Sequence, residues 1–396
     1  MSGHLGDWAN LLLRWTHFVA GIAWIGSSFY FIWLDRALTV PTSPRPGVEG
    51  EVWMVHSGGF YQTEKRRPGP GDLPAVLHWF KWEALFTWIT GIALLVLIYY
   101  LNQAYLLDPA VSKVGRGTAT AFGIALLVVG WLVYDQLWRS PLATQRQGAI
   151  ATIVSLVLLT GVTVAACRLL SGRAAFMHVG ALLGTVMVAN VWIRILPAQQ
   201  AMIDATKSGR PADFTLGERA KQRSVHNSYM TFPLLFIMLS NHYPATYAGA
   251  ANWLVLLLLC VAGGAVRHAM IGRGASARRV LIPAAAALAG AIALSTPKAA
   301  ATTSSTADAV PSFATVRAVV VQRCLPCHSR FPSDHTFGVA PAGVAFDTPE
   351  SIPGFAPRIL VRAVETQTMP LANKTGMTAD ERALLARWIA AGAPLR

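Results

Sequence analysis

The sequence predicts an all-α protein: a polytopic membrane bundle of about eight transmembrane helices, followed by a small helical domain outside the bilayer. Three observations carry that expectation. Hydrophobic residues make up 54% of the chain and charged ones 13%, too apolar a balance for an ordinary soluble enzyme. Apolar stretches long enough to cross a hydrocarbon core of ~30 Å recur from Leu11 to about Leu294. Beyond them the character of the chain changes, and Pro311–Arg396 carries nine Lys/Arg and six Asp/Glu.

In order, the spans fall near residues 9–33, 76–100, 118–137, 148–169, 174–196, 227–243, 249–270 and 280–296. The first, Trp8 to Trp33, has no basic segment before it and no Ala-x-Ala-like cleavage site after it, so it reads as a retained helix. The sixth is short and interrupted at Phe232-Pro233. The loop after the first span, about 36–75, is long. Within it, Glu51–Gln62 reads as a β-hairpin that turns at Ser57-Gly58-Gly59.

Residues 297–310 are small, polar and without apolar periodicity, which makes them a flexible linker between the 1–296 membrane domain and a 311–396 domain. In that last domain Phe313–Val321 has helical spacing. Thr378-Ala379-Asp380-Glu381 is a capping box that opens a final helix running through Trp388.

The formal net charge of +14 suggests a nucleic-acid partner, but the placement of the basic residues argues against one. The alternate loops 36–75, 138–147, 194–226 and 267–279 hold 17 Lys/Arg, whereas 101–117 and 168–173 hold four and 243–248 none. By the positive-inside rule the first set is cytoplasmic, and both termini lie outside.

The most specific local signal is Cys324-Leu325-Pro326-Cys327-His328. Two cysteines at this spacing followed directly by histidine are the attachment signature of a c-type haem. The thiols form thioethers to the vinyl groups, and the imidazole of His328 becomes the proximal iron ligand. No second cysteine pair completes a zinc site, since Cys167 and Cys260 lie within apolar spans as small buried hydrophobes. His335, Met369 and Met377 are the candidates for the sixth iron position. Met369 is best placed, because His335 follows the proximal ligand too closely and Met377 abuts the helix cap.

Ionisable side chains inside spans are costly, so each is a functional hypothesis. His17 shares a helical face with Gly21, Trp24 and Ser28, and His178 lies near the outer end of the fifth span. Together they are candidates to hold a b-type haem between helices; hydrogen bonding to a neighbouring carbonyl is the plainer role for each. Toward the cytoplasm lie His78, Lys81, Glu83, His226 and His268. Lys81 reads as an interfacial lysine, and His226 and His268 as solvated interface residues. Glu83, one turn inside, is a candidate general acid or base together with His78. In the hairpin, Trp53, Phe60 and Tyr61 are suited to stacking a planar ligand and His56 to moving a proton.

The opening His17-Phe-Val-Ala-Gly-Ile-Ala-Trp-Ile-Gly-Ser-Ser-Phe, the phrase Glu51-Val-Trp-Met-Val-His-Ser-Gly-Gly-Phe-Tyr, the spans, Cys324-x-x-Cys-His and Met369-Pro together resemble a known family. These are the membrane-bound, cytochrome c-linked urate oxidases of the urate hydroxylase PuuD family. The first span is also similar to membrane haem proteins of the protoporphyrinogen-oxidising and copper-resistance families. The resemblance implies oxidation of urate to 5-hydroxyisourate, with oxygen from water. Electrons would pass to a periplasmic haem c domain and on to a soluble cytochrome c or terminal oxidase, in a bacterial inner membrane. The competing expectation from the residues is a non-catalytic conduit, relaying electrons from a quinol or protein partner through haem b to haem c. A transporter is disfavoured, because the halves show no internal repeat.

Overall fold

The computed structural model describes residues 3–43, 45–101, 105–143, 148–272, 274–296, 310–334 and 339–396. Of the expected linker only Val310 falls among them, and His335 lies outside the described residues.

Helix α1 (Gly3–Ala37) leads into an antiparallel hairpin of β1 (Val48–His56) and β2 (Gly59–Arg66). Val55 stands opposite Phe60 and His56 opposite Gly59. Ser57 and Gly58 between them have φ of 49° and 77°. A two-residue turn needs positive φ at both positions if its twist is to match the strands, and glycine supplies one at little cost.

The bundle continues through α2 (Trp82–Leu95), α3 (Arg116–Leu137), α4 (Gly148–Leu169), α5 (Gly172–Ala189), α6 (Leu196–Lys207), α7 (Phe214–Ser240), the short α8 (Ala245–Ala248), α9 (Asn252–Ile271), α10 (Gly274–Arg278) and α11 (Leu281–Ser295). A π-helical turn, Val96–Leu101, extends α2. Another, Asn190–Ile195, joins α5 to α6. Gly172–Lys207 is therefore one continuous helix of 36 residues. Such turns bulge one residue out of register and recur at functional sites.

Among the described residues six helices are long and apolar enough to cross a membrane: Trp8–Ala37, Trp82–Leu101, Arg116–Leu137, Gly148–Leu169, Gly172–Lys207 and Asn252–Ile271. They are compatible with a multi-pass membrane protein. Two of the eight expected spans fall short of that measure. The 227–243 segment belongs to α7, whose first half carries Glu218, Arg219, Lys221 and Arg223. Helix α11 has 15 residues, about 22 Å at 1.5 Å per residue, shorter than the ~30 Å core.

Helix α5 is the centre of the bundle. Phe176, His178 and Val179 on it are fully buried, and Leu182, Leu183 and Val186 nearly so. Close approach of its neighbours depends on missing side chains. A Cβ on Gly180 would meet Ile237 of α7 at 2.7 Å, the small-residue contact by which membrane helices pack. On α4, by contrast, Ile153, Leu156 and Val157 are exposed, as a lipid-facing surface requires.

The C-terminal domain has its own core. It comprises α12 (Phe313–Arg323), the short α13 (Ser351–Gly354) and α14 (Ala356–Ile359), and α15 (Ala379–Ala390). The Ser312 side chain caps α12, and the capping box at α15 forms as expected: Thr378 Oγ1 accepts from Glu381 N at 3.2 Å, and Glu381 Oε2 from Thr378 N at 2.7 Å. Trp388 and Leu385 of α15, fully buried, pack with Val316 and Val320 of α12 and with Ile352. The Arg323–Glu381 ion pair, at 3.0 Å, ties the two helices together. The expected two-helix frame is present.

Candidate functional site

Cys324 closes α12, and the turn it opens carries Cys327 and His328. His328 Nδ1 lies 3.0 Å from the Val344 carbonyl. A carbonyl only accepts, so Nδ1 carries the hydrogen and the lone pair stands on Nε2. Iron-ligating histidines are commonly held in this way. Burial also holds His328 below its usual pKa, which favours the neutral imidazole that binds metals. Among the described residues no three His, Cys, Asp or Glu side chains converge as a metal-ion site.

The other axial candidates separate clearly. Met377 is 3% exposed within the domain core, its backbone held on both sides by the Asn373 amide at 2.9 and 3.1 Å. Met369 is only half-buried. Its N–H donates to the Arg362 carbonyl at 2.9 Å, and its carbonyl accepts from Arg382 Nη1 at 2.8 Å. Arg382, 8% exposed, also donates to the Ala363 carbonyl, so one buried guanidinium pins the Met369 loop to α15. The donor set Cys324, Cys327, His328 and Met369 fits a covalent haem.

His17 and His178 are not brought together. His17 Nδ1 lies 2.9 Å from the Thr87 carbonyl, in the seam between α1 and α2. His178 sits between α5, α3 and the end of α2, where Nδ1 faces the Ala174 carbonyl at 2.7 Å and Nε2 the Tyr100 hydroxyl at 3.1 Å. Both ring nitrogens of His178 are thus engaged, and a Cβ on Gly123 would come within 2.8 Å of Nε2. As placed, the pair does not fit the two axial positions of one haem.

The three sequence-derived catalytic candidates are dispersed. His56 is exposed at the hairpin tip and His78 is exposed ahead of α2. Glu83 is half-buried in the first turn of α2. Trp53 and Phe60 are exposed on the hairpin, which is held to the end of α1 by Tyr30–Met54 and by the Lys65–Asp35 ion pair.

What the structure assembles instead is a buried polar layer on both sides of α7, at the hairpin end of the bundle. On one side Asn190, fully buried, donates from Nδ2 to the Tyr134 hydroxyl at 3.0 Å and to Asn227 Oδ1 at 2.9 Å. Tyr134 Oη lies 2.8 Å from His226 Nδ1, and the His226 ring stacks 4.0 Å from Trp138. The Arg223 guanidinium lies 5.0 Å over the Tyr134 ring and donates to Asp135 at 3.1 Å. Asp135 also accepts from Arg194 Nε at 2.8 Å.

On the other side Arg267 of α9, 3% exposed, donates from Nε to Ser228 Oγ at 2.7 Å and stacks 4.1 Å from the centre of the Phe29 ring of α1. Next to it, His268 Nδ1 lies 2.7 Å from the Tyr229 hydroxyl. Of the two histidines expected as solvated interface residues, His226 is half-buried against Tyr134 and Trp138, and His268 is exposed beside Tyr229.

Four polar atoms in this region are buried without a hydrogen-bond partner among the described residues: Asn190 Oδ1, Trp192 Nε1, Arg223 Nη1 and Arg267 Nη2. Leaving one such group unmade costs about 1–3 kcal/mol, so each marks a point that another polar molecule can complete. They are three donors and one acceptor, divided between the two sides of α7. Sequence reasoning reached His226 and His268 but not the layer itself. The available signal was Arg223, His226 and Asn227, at helical spacing ahead of the apolar half of α7.

Residues 3–297, the whole bundle, match the family model described as Urate oxidase N-terminal. No curated protein and no solved structure matches the chain.

Proposed function

The chain belongs to the Urate oxidase N-terminal family, and we propose that it is a membrane urate hydroxylase that passes electrons out through its own C-terminal domain. One juxtaposition carries this reading. The family match ends at residue 297, and the chain that follows carries the haem-attachment motif Cys324-x-x-Cys327-His328, with Met369 further along. The chain thus joins a urate-oxidase bundle to an electron outlet.

The reaction balances without dioxygen. Urate monoanion and water give 5-hydroxyisourate, one proton and two electrons. The ring loses the electrons, and water supplies the hydroxyl at C5. The polar layer on the two sides of α7 supplies the open groups such a ring needs, with Arg223 Nη1, Trp192 Nε1 and Arg267 Nη2 as donors and Asn190 Oδ1 as acceptor. Each side also carries a tyrosine–histidine pair able to take the released proton, Tyr134 with His226 and Tyr229 with His268.

A covalently bound haem c supplies a one-electron acceptor. Cys324 and Cys327 would anchor it, His328 would present Nε2 to the iron, and Met369 would close the far side on the loop that Arg382 holds. The charge bias of the loops supports a bacterial inner-membrane setting with the C-terminal domain in the periplasm. There it would hand electrons to a soluble cytochrome c or a terminal oxidase.

The test is anaerobic. Membranes containing the protein are given urate, and the haem α-band is followed. Reduction within the assay is expected. A band that stays oxidised with urate but is reduced by a quinol would replace this function with the electron-relay reading.

A further inference from the structure

Arg267 is the least compensated charge in the bundle. Of the four buried charged residues described, Asp135 and Arg223 pair with each other, and Arg382 donates to carbonyls of the C-terminal domain. Arg267 is 3% exposed and forms no ion pair among the described residues. It has one hydroxyl, Ser228 Oγ at 2.7 Å, one aromatic face, Phe29 at 4.1 Å, and a buried Nη2 with no partner among the described residues. A single cation–π contact and a neutral hydrogen bond do not offset the removal of a guanidinium from water. A buried unpaired cation persists when a ligand supplies the missing charge.

The surroundings define that ligand. Phe29 lies 5.8 Å from Phe232 of α7, so the guanidinium and two rings present flat apolar surface beside a single aimed N–H donor. Arg36 stands nearby, its guanidinium held by the Met270 and Gly272 carbonyls at the end of α9, which adds positive charge to the same corner. The hairpin is attached to the same end of α1, where the Tyr30 hydroxyl donates to Met54 Sδ. The geometry points to Arg267 as the residue that recognises the negative charge of a flat, conjugated monoanion held between α1, α7 and α9. Resting on the function proposed above, that monoanion is urate, a delocalised planar anion at neutral pH. Arginine suits it better than lysine because its planar fork both stacks and donates in plane.

The inference has a stability signature that a structural arginine would lack. If Arg267 exists to bind an anion, the ligand-free protein carries its charge as a burden, and Arg267→Gln leaves no stranded carboxylate behind. The purified full-length protein in detergent is melted with and without urate, and urate binding is measured by equilibrium dialysis. The wild type is expected to bind urate and to melt higher with it. Arg267→Gln is expected to melt at least as high as the wild type when ligand-free, and to bind urate ~30-fold or more weakly. Arg267→Lys, which keeps the charge and loses the fork, should fold and still bind several-fold more weakly.

Unchanged urate affinity in both variants would overturn the inference while leaving the proposed function standing. So would a ligand-free Arg267→Gln protein that melts well below wild type with affinity retained by Arg267→Lys. Equal stabilisation of the wild type by chloride or phosphate would also overturn it, making the corner a general anion site. Failure of the wild type to bind urate at all would remove the function proposed above and this inference with it.

Discussion

Asp135 is the residue whose loss the bundle should tolerate least. Its carboxylate is 7% exposed and accepts from Arg223 Nη2 at 3.1 Å and from Arg194 Nε at 2.8 Å. The two cations are not equivalent. Arg194 keeps 31% of its side chain exposed and can turn toward water, whereas Arg223 keeps 6% and cannot. Asp135→Asn preserves shape and removes the charge, so its cost is that of stranding Arg223 in the interior. Breaking a buried pair from one side typically costs about 3–5 kcal/mol. At ~1.4 kcal/mol per tenfold, that is a folding constant lower by roughly two to three and a half orders of magnitude. Replacing both partners, as in Asp135→Leu with Arg223→Met, should recover most of the loss, since an apolar pair of similar volume leaves nothing unpaired. The assay is denaturant titration of the purified protein in micelles, followed by tryptophan fluorescence. A single variant as stable as the wild type, or a double variant no better than the single, would refute the charge-stranding argument.

Three further outcomes are expected. Met369→Ala should leave the haem covalently attached on denaturing gels while lowering its reduction potential in a redox titration; an unchanged potential would move the sixth ligand elsewhere. Thr378→Ala should destabilise the C-terminal domain by ~1 kcal/mol through loss of the α15 cap, read as a shift in its thermal unfolding, and a loss below a few tenths would mean that Glu381 alone holds the cap. Gly123→Val should lower the melting temperature of the bundle, because a Cβ there would meet Tyr100 Oη at 2.4 Å and His178 Nε2 at 2.8 Å; a melting temperature like that of the wild type would show that α3 can shift outward at no cost.

The Cys324–His328 turn was legible in the sequence because its residues are neighbours in the chain. Two thiols and an imidazole within five residues need only the turn after α12 to converge. The hairpin and the α15 cap were legible for the same reason, since turn and cap rules act over a few residues. The α7 layer was not. Phe29, Ser228 and Arg267 meet only when α1, α7 and α9 pack, and Arg267, four residues from the end of α9, reads in isolation as an interfacial anchor. Asn190 and Trp192 were hidden differently. They lie on the π-helical turn between α5 and α6, and a register bulge leaves no mark in a hydrophobic period read at 3.6 residues per turn.

His17 and His178, both offered by the sequence as haem ligands, differ in what they leave open: His17 is half-buried with contacts at Nδ1, and His178 is fully buried. The distinction lies in the second nitrogen. A ligand histidine gives Nδ1 to an acceptor and keeps Nε2 open, and His328 does so against Val344. His178 gives Nδ1 to Ala174 but closes Nε2 on Tyr100, which makes it a packed hydrogen-bonding residue at the centre of α5. Buried charge in this bundle divides by the same question of what remains open. Asp135 and Arg223 neutralise each other and hold helices together, while Arg267, with an open donor and no counter-charge among the described residues, is arranged to meet something that arrives from outside.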